Sequence, residues 1–323
     1  MAYIIQDTTL SRIAEAIRAK NGTTDKIKVS DMAATIEAIK AGGDDKEAAI
    51  IDRSITEYSN GSIETIGGYA FYQCSSLLSV DLPSATSIGY NAFDYCTSLT
   101  TVDLPAATSI GSNAFDGCNS LTTIDLPAAT SIDCNAFYRC TNLAKVNLPA
   151  ATSIGSSAFD GCYSLTTIDL PAATSIDSDA FASCNSLATV VMPAATSIGS
   201  HAFYNCSSLT TVVMPAATSI GYNAFYYCEK LTTVDLPMAT SIGAYVCSSC
   251  PTLKALIIRT GQVCSLDSGL GYGTDSCYIY VPRALINDYK AATNWAQYAD
   301  KFRALEDYTV DGTTTGELDT TKI

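Results

Sequence analysis

The chain has 323 residues and a formal charge of −14, from 18 Lys and Arg against 32 Asp and Glu, with a pI near 4.3. That acidity excludes a reader of the nucleic-acid backbone, which needs basic surface to release counterions, and a protein held electrostatically on an anionic membrane. Apolar residues at 47% support a large core, while charged residues at 15% leave Thr, Ser, Asn and 19 Tyr to cover the surface.

The first segment reads MAYIIQDTTLSRIAEAIRAK. It lacks a basic stretch followed by an apolar core and a small-residue cleavage site, so no secretory signal is expected. No apolar run of 18 or more residues occurs, so no membrane-inserted helix is expected either. Asp7 or Thr8 caps a helix carrying Leu10, Ile13 and Ile17 on one face, ended by Asn21-Gly22. Ser30 caps a second, with Met32, Ile36 and Ile39 on one face, ended by Gly42-Gly43. Two helices of about a dozen residues are marginal alone. Residues 1–43 therefore read as a helical attachment module that docks on a structural partner or on a copy of itself. The wording T-T-L-x-x-I-A-x-A-I-R-x-K-x-G-T-T-D-K-I resembles a short N-terminal module of phage and prophage structural proteins from gram-positive gut bacteria. Residues 44–62 read as a linker and lead-in strand, with Ile50, Ile51 and Ile55 covering an edge that would otherwise invite aggregation.

From residue 63 to 258 the sequence repeats every 22 residues without insertion. Ile66 recurs to Ile242, Phe71 to Phe225, Cys74 to Cys250 and Leu77 to Leu253, and a Pro from Pro83 to Pro237. The unit is S-I-G-x-x-A-F-x-x-C-x-x-L-x-x-[VI]-x-[LM]-P-x-A-T. Its L-x-x-V-x-L portion alternates as a half-buried strand does, and the Pro after it ends the ladder. An exact period means one coil per unit, stacked at about 4.8 Å with the apolar columns inside. Ile88-Gly89 through Pro105 closely resemble the BspA-type branch of the leucine-rich repeat family. The resemblance implies an α/β repeat fold: a right-handed solenoid of nine 22-residue coils with a parallel sheet. It also implies binding of proteins or glycans at bacterial surfaces, and no catalysis.

The register decays over residues 259–307, which read as an α/β cap. Tyr278 to Pro282 is expected as a last strand. A helix should run from Pro282 through Tyr289 and Lys290, and a second should carry Trp295, Tyr298 and Phe302. The cap resembles the one that accompanies these repeats in phage-associated proteins. Residues 308–323 read as a loose polar tail or a short contact segment.

Several residues invite a chemical reading. The nine repeat cysteines stack within disulfide reach, yet their apolar register and the missing signal favour buried thiols. Cys247-Ser-Ser-Cys250 has redox spacing, but Cys250 is the repeat cysteine and Cys247 fills the Phe slot. Cys264 and Cys277 are off register, and a cap bridge between them is an open alternative. His201, the one His, sits in a slot held elsewhere by Tyr, Asn, Ser or Asp, and reads as a surface variant. Gly269-Leu-Gly-Tyr-Gly273 lacks the strand-to-helix context of a phosphate loop. No catalytic residue, metal ligand or cofactor is assigned.

Two outer surfaces remain. The strand face presents Asp81, Asp103, Asp125, Asp169 and Asp235, whose stacked charges repel and which calcium would relieve only with more ligands than one side chain per coil supplies. The loop side presents Tyr90, Tyr95, Tyr138, Tyr204, Tyr222, Tyr226 and Tyr227, in slots that also accept Asp, Arg, Gly or Ser and so read as exposed. Exposed Tyr gives contact area at low entropy cost. The expected function is a non-catalytic binding protein, a phage or prophage tail-associated component that recognises a host-surface protein or glycan. The alternative is a BspA-like adhesin of the bacterial cell surface. Its place would be the virion or that surface, with no nucleic-acid partner and no membrane insertion.

Overall fold

The computed structural model describes residues 3–4, 53–319 and 321–322. The helical pair expected over residues 1–43 lies outside the described residues.

Each coil has three walls. The first is built from the Ser-Ile pair of every repeat, a two-residue strand such as Ser87–Ile88 or Ser109–Ile110. Eleven such strands form one parallel ladder, from Tyr3–Ile4 through Thr65–Ile66 to Ser265–Leu266. The Ile is buried in each described repeat and the Ser stands at the surface. The opposite wall uses the Thr-Val-Asp segment, as in Ser79–Asp81 and Thr101–Asp103, paired in parallel with Asp against Asp. The solenoid makes about eleven turns rather than nine. Strands outside the exact repeat add to it at both ends: Glu57–Ser59 pairs ahead of Ser79–Asp81, and Tyr278–Val281 follows Ala255–Ile258.

The third wall has no strands, but its backbone still bonds from coil to coil. Tyr69, Phe71 and Gln73 each donate an N–H to the carbonyl of Tyr90, Ala92 and Asp94 in the next coil, at 3.0, 2.7 and 2.7 Å. Turns that satisfy their polar groups in this way can sit against a dry interior.

Inside, the period becomes a stack. Eight Phe rings from Phe71 to Phe225 lie 5.0 to 5.6 Å apart and within 10° of parallel. Tyr58 closes the front of the stack, 5.1 Å from Phe71. Two polar side chains of the repeat serve the backbone. The Cys140 thiol donates to the Phe115 carbonyl at 3.0 Å, and the same contact recurs from Cys96 to Cys250. The Thr108 hydroxyl donates to the Thr86 carbonyl at 3.0 Å, recurring from Thr86 to Thr240. Each of these carbonyls already takes a backbone N–H: Cys118 donates to Phe115 and the Thr108 amide to Thr86. The side chain fills the second lone pair.

The C-terminal end departs from the α/β cap with two helices expected. A 3-10 turn, Arg283–Leu285, leads into one short α-helix, Ile286–Ala291. The second expected helix is absent among the described residues. Ala296–Tyr298 is a single 3-10 turn, and Phe302 belongs to a strand, Phe302–Ala304, paired in parallel with Tyr278–Val281. The reason is the open edge of Tyr278–Val281, which a strand covers and a helix would leave unpaired. Trp295 and Tyr298 are spent on the same closure: Trp295 Nε1 donates to the Cys264 carbonyl at 2.6 Å, and Tyr298 Oη accepts from Leu270 N–H at 2.7 Å. Residues 309–318 fold back as a contact segment, with Val310 N–H on the Glu317 carbonyl and the Arg259 guanidinium on the carbonyls of Thr314 and Gly316.

Candidate binding surface

Two positions per coil on the turn wall have positive φ, between 53° and 61° through the repeats where the residue is not Gly. One holds Tyr69, Asn91, Asn113, Asn135, Ser157, Asp179, His201, Asn223 and Tyr245. The other holds Gln73, Tyr95, Arg139, Ser183, Asn205, Tyr227 and Ser249, with Gly117 and Gly161 at φ 65° and 76°. Left-handed backbone costs an ordinary residue roughly 1–2 kcal/mol and suits Gly and Asn best. The Asn and Gly in these slots answer the backbone. Tyr95 and Tyr227 do not; their side chains are held against that preference and face outward.

The structure gathers some of the tyrosines and separates others. Tyr204 and Tyr226 stack in parallel at 5.4 Å. Tyr227 meets Tyr226 edge-on at 4.7 Å, and Tyr222 meets Tyr245 at 5.9 Å. His201 bridges the two groups, 5.8 Å from Tyr204 and 5.2 Å from Tyr222. Tyr204, Tyr222, Tyr226 and Tyr245, with Tyr272 from the cap, border a recess of about 440 Å³. Tyr90 belongs to a second group with Tyr69 and Tyr72 at the other end. Tyr95 and Tyr138 pair with no aromatic ring among the described residues; Tyr138 lies under the Arg139 guanidinium at 4.8 Å.

The slot of Tyr138, Tyr204 and Tyr226 is not the open one expected. Asp94 in the same column is only 5% exposed, Ala182 and Ser248 are buried, and the three Tyr are half-buried. The column runs in a furrow between the two left-handed positions. Burial pushes the Asp116 and Asp160 carboxyls up to about 6, aided by the charges of Asp94 and Asp179 and opposed by Arg139. Asp94 is raised by burial too, although Asn91 Nδ2 donates to it at 2.6 Å. One oxygen each of Asp94 and Asp116 is buried without a partner.

The acidic strand face is exposed but partly engaged. Asp235 holds Arg259 through a double contact at 2.8 to 3.1 Å, Asn147 Nδ2 donates to Asp125, and the Ser59 hydroxyl donates to Asp81. Among the described residues no three His, Cys, Asp or Glu side chains converge as metal ligands.

A family model described as BspA type leucine rich repeat region (6 copies) matches residues 64–188 and 152–270. The two matches together span well over half of the chain. The chain belongs to the BspA-type leucine-rich repeat family. Similar solved structures include a leucine-rich repeat protein from Bacteroides ovatus, 22% identical, covering 78% of this chain and 84% of that one, with a TM-score of 0.35. A leucine rich cell surface protein from Faecalibacterium prausnitzii is also 22% identical over 72% and 81%, with a TM-score of 0.35. The leucine-rich repeat protein of T. pallidum is 27% identical over 55% and 72%, with a TM-score of 0.38. No curated protein matches the chain.

In this BspA-type solenoid the cysteines are structural. All nine repeat thiols are buried, as are Cys247, Cys264 and Cys277, and all are free, so the cap bridge is not formed. Burial pushes Cys250, Cys264 and Cys277 up to about 12, which leaves no thiolate for redox work. Cys134 alone of the thirteen is exposed, because it takes the outer slot of Tyr90 and Tyr222. Three members of the aromatic group escaped sequence reasoning. Tyr245 and His201 occupy one slot two coils apart, a spacing visible in the repeat but read only for polarity. Tyr272 comes from the cap, where no register exists to place it.

Proposed function

We propose that this BspA-type solenoid is a non-catalytic binding protein that recognises a host-surface protein or glycan through its turn wall. The observation that carries the reading is the contiguous group of Tyr204, Tyr222, Tyr226, Tyr227, Tyr245, Tyr272 and His201 on the wall where residues vary most. Aromatic rings gathered at the surface, three of them (His201, Tyr227 and Tyr245) in left-handed backbone, are typical of interface hot spots. The finer reading is a phage or prophage tail component, with residues 1–43 attaching it to the particle. It draws its support from the wording of that segment. Membership of the BspA-type family supports binding or adhesion in general, and so keeps the second reading, an adhesin on a bacterial surface. Neighbouring tail and baseplate genes favour the first, and sortase or export genes the second.

The test is the triple variant Tyr222→Ser, Tyr226→Ser, Tyr227→Ser. Ser already stands in two of those slots in other coils and at Ser248 in the third, so the fold is expected to persist. Binding of the full chain to a panel of intact gram-positive gut bacteria should weaken by about 2 kcal/mol or more. Deleting residues 7–43, which keeps the Tyr3–Ile4 strand of the ladder, should leave that binding unchanged and abolish incorporation into a particle.

A further inference from the structure

The aromatic recess contains a gap in an otherwise regular stack. Tyr204 and Tyr226 occupy one column in successive coils, with rings parallel to within 2°. The next residue in that column is Ser248, and the cap loop then sets Gly271 against it. A Cβ on Gly271 would lie 2.2 Å from Ser248 Cβ, so the floor here is bare backbone and a hydroxymethyl group. One face of Tyr226 is covered by Tyr204. On the opposite side, toward Ser248, no ring stacks on it among the described residues. Tyr222, Tyr245 and Tyr272 stand around the vacancy, and Tyr272 is 83% exposed. At about 440 Å³ the space lies at the small end of the range for small-molecule sites, about 300–1,000 Å³.

The chemistry of the lining narrows the occupant. None of the lining side chains is charged, in a chain carrying −14 overall. Asn223 lines the recess, is 8% exposed and holds His201 Nε2 through its Nδ2 at 3.2 Å, while its Oδ1 has no partner. A buried amide oxygen without a donor is a standing cost that an arriving hydroxyl removes. Ser248 Oγ accepts from Tyr272 N–H at 3.1 Å, which ties the loop to the floor before any ligand arrives.

We infer that this recess is a saccharide subsite. It takes one neutral pyranose ring, stacked on the free face of Tyr226 in the place of the missing tyrosine, with a ring hydroxyl donating to Asn223 Oδ1. That oxygen is covered in the free protein, so side chains at the recess shift as the sugar enters. The inference rests on the reading that the turn wall binds, and names the ligand class. An aromatic side chain of a protein partner would fill the same gap, but it brings at most one hydroxyl, at the far end of its ring, where a pyranose carries several around its rim to meet Asn223 and the surrounding Tyr hydroxyls together.

The test is saturation-transfer NMR on the full chain with the methyl glycosides of glucose, galactose, mannose, N-acetylglucosamine and N-acetylgalactosamine, beside N-acetyltyrosinamide. At least one glycoside should bind, with transfer strongest to the hydrogens of one ring face. Tyr226→Ser, which removes the platform, should weaken that binding at least tenfold while the circular dichroism spectrum stays that of the parent. Asn223→Ala should weaken it less and leave the stacking pattern. Three results overturn the inference: no glycoside binding at millimolar concentration, Tyr226→Ser binding as well as the parent, or N-acetyltyrosinamide outcompeting every glycoside. The last makes the gap a socket for a protein's aromatic side chain. If the triple Ser variant loses cell binding while no glycoside binds, the binding wall stands and only the sugar assignment falls.

Discussion

At the scale of single residues, the repeat cysteine and threonine do the same work by different chemistry. Each donates to the unused lone pair of a carbonyl one coil back: Cys162 to Phe137 at 3.2 Å and Thr152 to Thr130 at 3.1 Å. This explains a small weak donor in the core better than redox chemistry does. Cys162→Ala should cost about 1 kcal/mol in urea unfolding, the worth of one such bond. In the native protein a thiol reagent should titrate one fast equivalent, from Cys134, and all thirteen after unfolding without reductant. Four or fewer after unfolding would mean a cross-linked ladder. The furrow carboxyls give a pH dependence. Asp116 and Asp160 rise to about 6 when folded, from about 3.9 in the unfolded chain. The folded state therefore binds these protons more tightly. Their ionisation costs stability progressively as pH rises from about 4 to about 6, and the cost is complete above that. Asp116→Asn should melt higher than the parent at pH 7.5, and the difference should shrink toward zero by pH 4. An equal difference at both pH values would contradict the assignment.

At the scale of elements, the coil is the unit of stability, since each contacts only its neighbours. Removing a ring from the middle of the stack, Phe159→Ala, should cost about 3–5 kcal/mol, with hydrogen exchange accelerated first in the coils holding Phe137 and Phe181. The coil is readable because Ile, Cys and Leu keep one spacing through nine units and Phe through eight, which parallel stacking satisfies. What was not readable depended on backbone sign and on edges. Asn91, Asn113, Asn135 and Asn223 mark a left-handed position, a signal that the polarity of the slot alone does not carry. Asp94 looked exposed because Asp commonly is, and the furrow that buries it is made by the walls beside it. Trp295, Tyr298 and Phe302 have helical spacing, yet an open strand edge and two backbone groups, Cys264 O and Leu270 N–H, claimed those side chains.

At the scale of the whole molecule, the solenoid offers two long surfaces of opposite character. The strand face repeats acidic and threonine side chains with little variation, and its Asp81, Asp125 and Asp235 already have partners. The turn wall varies from coil to coil and concentrates rings near the C-terminal end. The earlier tyrosines, Tyr90, Tyr95 and Tyr138, lie outside that concentration and are expected to matter less. The most direct measurement of the central claim compares cell binding of three full-length proteins side by side. These are the parent, the Tyr222→Ser/Tyr226→Ser/Tyr227→Ser variant, and a strand-face variant, Asp103→Asn/Asp125→Asn/Asp169→Asn. If the turn wall is the binding surface, the tyrosine variant loses binding and the strand-face variant keeps it. Retained binding by the tyrosine variant together with loss by the strand-face variant would contradict the account and move recognition to the acidic strands.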